Sequence, residues 1–451
     1  RHGPSASIRI QGEPNSSDNP YWVFRDPFRR LLGIERRSQA EMTSDLTSAI
    51  RSTPELETSL PLLGDVLHID VPDNETTSAI DPKYRPDRTA DAVVTLLDEM
   101  APPDLALVME DAHWVDDAST ALMRRLATAA AERHWTVVVT TRLRTEDGAF
   151  GEHVALGAIP EDELSSIAIS ATAAAPLRPH ELDAIVDRAG GNPLFLSEIL
   201  KVVRETGTVE RLPESLDAVV STEIDTLPPL TRQLLRYAAV LGRSFRRVVL
   251  DEYLEPDGVV IDQATRQTLG RFIAADGSTR FRFRHAVTHD VAYQGLSYRR
   301  RRELHARAGE VIERLAGSDT LAVAEFLAHH YSEAALHDKA FRYSCVAAEK
   351  ARTAYSHTEA ETHYLHAIGA ARYVDAISPA ERARLWAGVG EVREASGQFE
   401  SAREAYAAAL RLCQDPGFAL DLHISRARTW IPSGRTADAK RNVTLGRHRL
   451  P

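Results

Sequence analysis

Cysteine is nearly absent: Cys345 and Cys413 are the only two in 451 residues. Two thiols cannot build a disulfide framework, and so few fit a protein of the reducing cytosol. Long apolar runs are lacking as well. The strongest, Leu105–Met109 and Val137–Val139, are strand-sized, far short of the ~20 residues a membrane helix needs, so no membrane partner is expected. The start, Arg1-His2-Gly3-Pro4, has no initiator Met and no basic-then-apolar signal segment. Positive charge is in deficit, with 54 Lys and Arg against 65 Asp and Glu, a net charge of −11. That argues against a broadly cationic nucleic-acid surface. No G-x-S-x-G, H-E-x-x-H or Cys/His metal spacing occurs, which leaves common hydrolase chemistries without a nucleophile or metal frame.

What is present is ordinary globular composition, 43% hydrophobic and 26% charged, over a length that suggests two to four domains. Residues 1–160 alternate strand and helix signals. Ala6–Gln11 reads as a strand, Tyr21–Leu32 as a helix, and Asn15–Asn19 and Asp70–Arg88 as polar loops. Arg88–Met100 reads as a helix stopped by Pro102-Pro103, and Leu105–Met109 as a buried parallel strand. Ala118–Arg133 is an Ala/Leu-rich helix, and the β-branched run Thr136–Thr141 the next strand. Strand, helix, strand at this spacing is a βαβ unit, which implies an α/β domain with a parallel sheet.

Beyond Pro160 the strand signals fade. Residues 161–212 read as a helical segment: Glu161–Ala173, Pro179–Ala189, and Pro193–Glu205 after a Gly190-Gly191-Asn192-Pro193 break. Residues 213–302 read as a winged-helix-like region. Two helices are divided by Pro228-Pro229, Val248–Ile273 is helical with a turn at Asp257-Gly258, and Arg280–Arg284 is a short strand. Residues 303–451 are helical and Ala-rich. Here Ala360, Tyr364 and Ala367 recur 42 positions on (402 − 360) as Ala402, Tyr406 and Ala409, the latter preceded by Gly397 and Phe399. A fainter copy has Gly434 and Ala439. The pattern resembles the second half of a tetratricopeptide repeat, although the usual period is ~34. The plainer reading is an amphipathic bundle with Ala-rich packing.

One segment carries chemistry. Leu105-Ala106-Leu107-Val108-Met109 ends in Glu110-Asp111, then Ala112-His113-Trp114-Val115-Asp116-Asp117-Ala118-Ser119. An apolar strand closed by two acids is a Walker B pattern. It delivers carboxylates to the C-terminal edge of a parallel sheet, where ligands bind. There Glu110 would sit on the metal side, holding Mg²⁺, and Asp111 would orient an attacking water. Most proteins with this pattern place Asp first. The bland alternative is a strand that ends in solvated acids.

The string E-D-A-H-W-x-D-x-A-S resembles the Walker B segment of the large bacterial STAND-class ATPases, found in regulators fused to nucleotide cyclases or LuxR-type DNA-binding domains. Further segments resemble the same family in the same order: Pro20–Phe24, Ala79–Arg85, Val137-Val138-Val139-Thr140-Thr141-Arg142, Gly190-Gly191-Asn192-Pro193-Leu194-Phe195, and Phe283–Tyr293. The resemblance covers about residues 15–310. It implies a P-loop NTPase-like sheet, here incomplete, then an all-α lid, a winged-helix-like region and tetratricopeptide-like repeats. It also implies ATP or ADP with Mg²⁺ as cofactors, and a protein partner or signal at the repeats. Arg142 would be the sensor 1 residue facing the γ-phosphate, against the plain reading of a surface arginine. Asn192 and Pro193 would form the lid motif near the base or ribose, against the plain reading of a helix start. His285, with His289 second, would be the histidine that touches the ADP β-phosphate, against a structural histidine.

The family needs G-x-x-x-x-G-K-[S/T] upstream of the acids, and none occurs; Lys83, in a Pro-rich loop, is the sole lysine before Glu110. The expectation is a chain that starts just past that loop and that, as given, binds ATP poorly and does not turn it over. Degeneration to a pseudo-ATPase is the alternative. An adenylate or guanylate cyclase output is favoured over a LuxR-type one, and a non-catalytic repeat scaffold is the third reading. Nucleic acid would be met only through an output domain absent here. Arg299-Arg300-Arg301-Arg302 reads as the solvated start of a helix, and the basic tail from Gly434 as the flank of a repeat helix.

Overall fold

The apolar run Leu105–Met109 becomes the middle strand of a three-stranded parallel sheet. The fold is described from a computed structural model covering residues 6–12, 20–34, 39–81, 84–142, 150–173, 176–206, 214–257, 261–277 and 279–449. The Asn15–Asn19 loop, Lys83 and Gly258 of the expected turn lie outside the described residues. Strand β1 (Ala6–Gln11) pairs with β2 (Leu105–Glu110), and β2 with β3 (Thr136–Val139), both in parallel, in the order β1-β2-β3. With a neighbour on each side and helices on its faces, β2 buries Leu105, Ala106, Leu107 and Met109, which is why its apolar residues run consecutively instead of alternating.

Among the described residues the crossover from β1 to β2 holds six helices: α1 (Trp22–Leu31), α2 (Gln39–Ile50), α3 (Pro54–Thr58), α4 (Leu60–Leu67), α5 (Glu75–Ser78) and α6 (Arg85–Met100). α7 (Asp117–Ala130) links β2 to β3. α6 turns Ala90, Val93, Val94, Leu96 and Leu97 into a core shared with Phe24 and Phe28 of α1 and Leu122, Met123 and Leu126 of α7. Each such Leu or Phe is worth about 1.5–3 kcal/mol of transfer free energy. α6 begins three residues earlier than expected, because Pro86 in its first turn starts a helix as readily as it ends a loop.

The chain forms two compact units: residues 1–152 with 312–451, and residues 153–311. The second unit opens with α8 (Glu161–Ala171), α9 (Pro179–Ala189) and α10 (Pro193–Thr206), whose core joins Leu164, Ile185, Leu196 and Ile199. α11 (Leu216–Thr226) and α12 (Pro229–Val240) follow, then β4 (Ser244–Arg246), α13 (Arg247–Leu254), α14 (Gln263–Leu269), β5 (Ile273–Asp276), β6 (Arg280–Phe283), α15 (Ala286–Gln294) and α16 (Tyr298–Ala316). The strands form an antiparallel sheet in the order β4-β6-β5. The segment Val248–Ile273, expected to be helical with a turn at Asp257-Gly258, is corrected at its end. It is two short helices, and Ile273 opens a strand opposite Phe283.

In the first unit the helices continue as α17 (Ala324–Glu333), α18 (His337–Thr353), α19 (His357–Ala370), α20 (Pro379–Ala395), α21 (Phe399–Leu412), α22 (Pro416–Arg428) and α23 (Thr436–Arg447), each packed on the next. Ala360, Tyr364 and Ala367 are buried, as are Ala402, Tyr406 and Ala409. The two tyrosines are used alike. Tyr364 donates to Glu349 (2.5 Å) and lies over Gly388, while Tyr406 donates to Glu394 (2.7 Å) and lies over Gly390. Each hydroxyl reaches a glutamate of the preceding helix, α18 or α20, while both glycines lie on α20, which follows α19 and precedes α21.

Candidate functional site

Glu110 closes β2, half-buried, at the C-terminal edge of the parallel sheet. Its carbonyl accepts from Gly12 N (2.8 Å), extending the β1–β2 ladder by one rung. Asp111, also half-buried, turns the chain out of the sheet in the left-handed region (φ 53°, ψ 44°). A non-glycine residue holds that conformation only when its surroundings enforce it. Three bonds do so here. Asp111 N donates to Thr140 Oγ1 (3.1 Å), Ala112 N to Thr140 O (2.8 Å), and Asp111 O accepts from Trp114 N (2.9 Å). Thr140 N in turn donates to Met109 O (2.8 Å), so the residue just past β3 stitches the acidic loop to the sheet. Gly12 presses from the other side: a Cβ there would lie 2.3 Å from Asp111 O.

Behind this loop Asp116 caps α7, its Oδ1 accepting from Ser119 N (2.8 Å) and Tyr21 N (3.4 Å). Two segments singled out in the sequence, Pro20–Phe24 and the acidic strand end, therefore meet through one carboxylate. Arg142 follows β3 in the same unit, with its side chain exposed. Arg142 comes after the end of β3, whose C-terminal end lies on the same side of the parallel sheet as that of β2. Among the described residues no group of three or more His, Cys, Asp and Glu side chains is gathered as a metal centre.

In the other unit Asn192 accepts from Leu194 N (3.0 Å) and Phe195 N (3.1 Å) through Oδ1, which makes it the N-cap of α10. Pro193 is the first residue of that helix, exposed. Gly191 before them has φ 80°, and a Cβ would meet Ala158 Cβ at 2.3 Å. The break is tight because the segment before α8 runs against it, with Ile159 N donating to Gly191 O (2.9 Å). His285 sits at the N-cap position of α15, exposed and making no side-chain capping bond. His289 is differently placed: its ring bonds Asp290 Oδ1 (2.8 Å) and Ala239 O (3.0 Å) and meets Phe283 edge-on. The bond from His289, with Arg243 nearby, holds the Asp290 carboxyl below its usual range despite burial. His289 is thus tied into the packing of this unit, while His285 is presented to solvent. In the basic cluster Arg299 and Arg300 pair with Glu303, Arg300 also donates to Tyr237 Oη, and Arg301 donates to Leu296 O (3.1 Å), so these arginines brace the start of α16.

Sequence reasoning passed over Thr140, Gly12 and the capping role of Asp116. Asp116 carried a local signal, an acid three residues before Ser119 at a helix start. Thr140 and Gly12 act across strands and carry none.

No protein-family model matches the chain. Over 330 residues it is 26% identical to an uncharacterized protein of Rhizobium meliloti (strain 1021), a match covering 68% of this chain and 32% of that protein. The chain thus spans about a third of the length of that relative. Among solved structures it is similar to a Signal Transduction ATPase with Numerous Domains (STAND) protein with a tetratricopeptide repeat sensor from Pyrococcus horikoshii. That match has 13% identity and a TM-score of 0.37, over 99% of this chain and 81% of that one. It is also similar to BtubC (BKLC) from P. vanneervenii, at 16% identity and a TM-score of 0.22, over 49% and 91%. TM-scores this low establish neither a common fold nor a common function.

Proposed function

We propose that this chain is part of a nucleotide-operated signalling switch of the STAND kind, and that the Glu110–Asp111 edge is where Mg²⁺ and the terminal phosphate of ATP are met. The observation that carries the reading is the loop at the end of β2. Two adjacent carboxylates sit at the C-terminal edge of a parallel sheet, one of them in a strained backbone conformation held by Thr140 and pressed by Gly12. Strain kept by so many contacts is typical of sites where geometry serves function.

In this reading Glu110 holds the metal, directly or through water, and Asp111 orients the attacking water. Arg142 senses the γ-phosphate as a planar, permanently charged fork. The family resemblance further implies nucleotide-binding roles for Asn192, Pro193 and His285, which belong to the other unit. The bound Mg²⁺ would neutralise developing phosphate charge, and the residues named bind, orient and sense. The phosphate cradle itself needs a Gly-rich loop and lysine that the sequence does not contain, so a longer polypeptide would supply it. Among the described residues β3 has no strand on its far side; all β-branched after Thr136, with Val138 44% exposed, it is where a further parallel strand would add. The helical repeats would receive the signal. An adenylate or guanylate cyclase, or a LuxR-type DNA-binding domain, would be the output beyond these residues.

The test is substitution in the full-length product of the gene. Asp111→Asn should cut ATP turnover by ~10²-fold or more while leaving nucleotide bound, and Glu110→Gln should raise the Mg²⁺ concentration needed. Turnover unchanged in both variants would refute the assignment.

A further inference from the structure

Asp116 and Glu359 stand 243 positions apart in sequence (359 − 116), in α7's cap and in the first turn of the repeat helix α19, and are buried in the same unit, 2% and 3% exposed. Glu359 Oε1 accepts from Asp117 N (2.9 Å), and Thr358 Oγ1 donates to Asp117 Oδ2 (2.5 Å). The first turn of α7 is therefore capped twice, by its own Asp116 and from the repeats by Glu359. One oxygen on each acid, Asp116 Oδ2 and Glu359 Oε2, is buried without a hydrogen-bond partner.

We propose that Asp116 and Glu359 share a proton, and that the pair is a proton-linked latch holding the repeat helix α19 on the helix that follows the Glu110–Asp111 loop. Two ionised carboxylates buried together without a cation would repel at a low effective dielectric, and one proton removes the repulsion and supplies a donor to an orphaned oxygen. Tyr21, at the start of α1, is a phenol pushed up by burial and by Asp116. Asp65 of α4 is held by Arg85 of α6, and Arg85 also binds Asp73. Asp117 is taken by Thr358, and the ring of His357 is held below its usual range by burial. Burial pushes Asp116 up to about 7 against the pull of Ser119 and of the Tyr21 amide. Burial, then the charge of Asp116, pushes Glu359 up to about 8.

The sign follows. Undocked, both carboxyls titrate near ~4; docked, they bind protons well above that. Docking is therefore unpenalised below ~4 and weakens as pH rises toward the docked values, about tenfold per pH unit for each proton taken up. A second contact in the same unit, Trp22 of α1 against Phe326 of α17 (4.6 Å between ring centroids), is apolar and does not titrate. Opening is thus local to α7 and α19. The latch stands on this geometry whether or not the acidic loop meets a nucleotide, and its test uses none.

The test is hydrogen exchange on the full chain, comparing the first turns of α7 and α19 between ~pH 6 and ~pH 8 after correction for intrinsic rates, with difference infrared spectroscopy for a protonated carboxyl. The expected result is protection that falls about tenfold per pH unit at its steepest, with a carboxylic-acid band at the lower pH. Glu359→Gln keeps an acceptor for Asp117 N and mimics the protonated acid, and Asp116→Asn keeps a good cap. Each should remain folded, flatten the pH dependence and remove the band. No such band in the unaltered chain, or an undiminished pH dependence in both variants, would overturn the latch.

Discussion

Placing one methyl group at Gly12 probes the acidic loop without touching a carboxylate. In Gly12→Ala the new Cβ would lie 2.3 Å from Asp111 O and 3.0 Å from Val115 Cγ2. Real Cβ contacts stay beyond 3.0 Å, so the strand end and the loop must separate by at least 0.7 Å (3.0 − 2.3). The obstructing atom is backbone and cannot rotate away. It also accepts from Trp114 N (2.9 Å), while Gly12 N is fixed on Glu110 O (2.8 Å), so relief in either direction strains a hydrogen bond. Overpacking of this kind costs about 1–3 kcal/mol, of which one weakened hydrogen bond would account for about 1 kcal/mol. Denaturant unfolding of the variant should show that loss, and hydrogen exchange should show faster opening at the Trp114 amide. A stability change below about 0.5 kcal/mol with Trp114 protection intact would refute the account of how the loop is held.

Thr140→Val keeps the shape and removes the acceptor for Asp111 N; it should cost about 1–2 kcal/mol by denaturant titration and, in the full-length protein, lower turnover more than nucleotide affinity. Asn192→Ala should cost about 1 kcal/mol of α10 stability, whereas Asn192→Asp should retain most of it, as read by exchange at Leu194 and Phe195. In the repeats, Gly390→Ala would push a Cβ to 2.5 Å from the Tyr406 ring and should destabilise by about 1 kcal/mol net of its helix propensity. Gly369→Ala meets nothing within 4 Å and should stabilise slightly. Glu313 is held down at about 2 against burial, chiefly by the hydroxyls of Tyr331 and Tyr343 and then by Lys339. Its contribution is present above the ordinary glutamate value near ~4.3 and is lost as pH falls toward 2. Acid unfolding of the repeats should therefore shift in Glu313→Gln.

The elements most legible in the sequence were those whose ends carry chemistry. Ala6–Gln11 and Pro179–Ala189 keep their expected bounds, the latter because Pro179 starts it and Gly190 ends it. α2 escaped notice although Met42, Leu46 and Ile50 form a buried stripe, because the residues between them are mostly Ser, Thr and acids, which are indifferent or poor helix formers. β4 spans three residues, too few to show an alternation. At the site, the acids were legible because an apolar run must end somewhere polar. What holds them was not: Thr140 reaches Asp111 across 29 residues, and Glu359 reaches Asp117 across 242. Contacts of that span leave no local pattern, and only the parallel register of β2 and β3 and the packing of the repeats create them.

The proposal that a longer polypeptide supplies the phosphate cradle is tested most directly by a calorimetric titration of Mg·ATP into two proteins, this chain and the full-length product of its gene. The account predicts micromolar binding by the full-length protein and binding at least ~100-fold weaker, about 2.7 kcal/mol, by the chain, which has the acidic edge but no phosphate cradle. Equally weak binding by both, or micromolar binding by the chain alone, would contradict it.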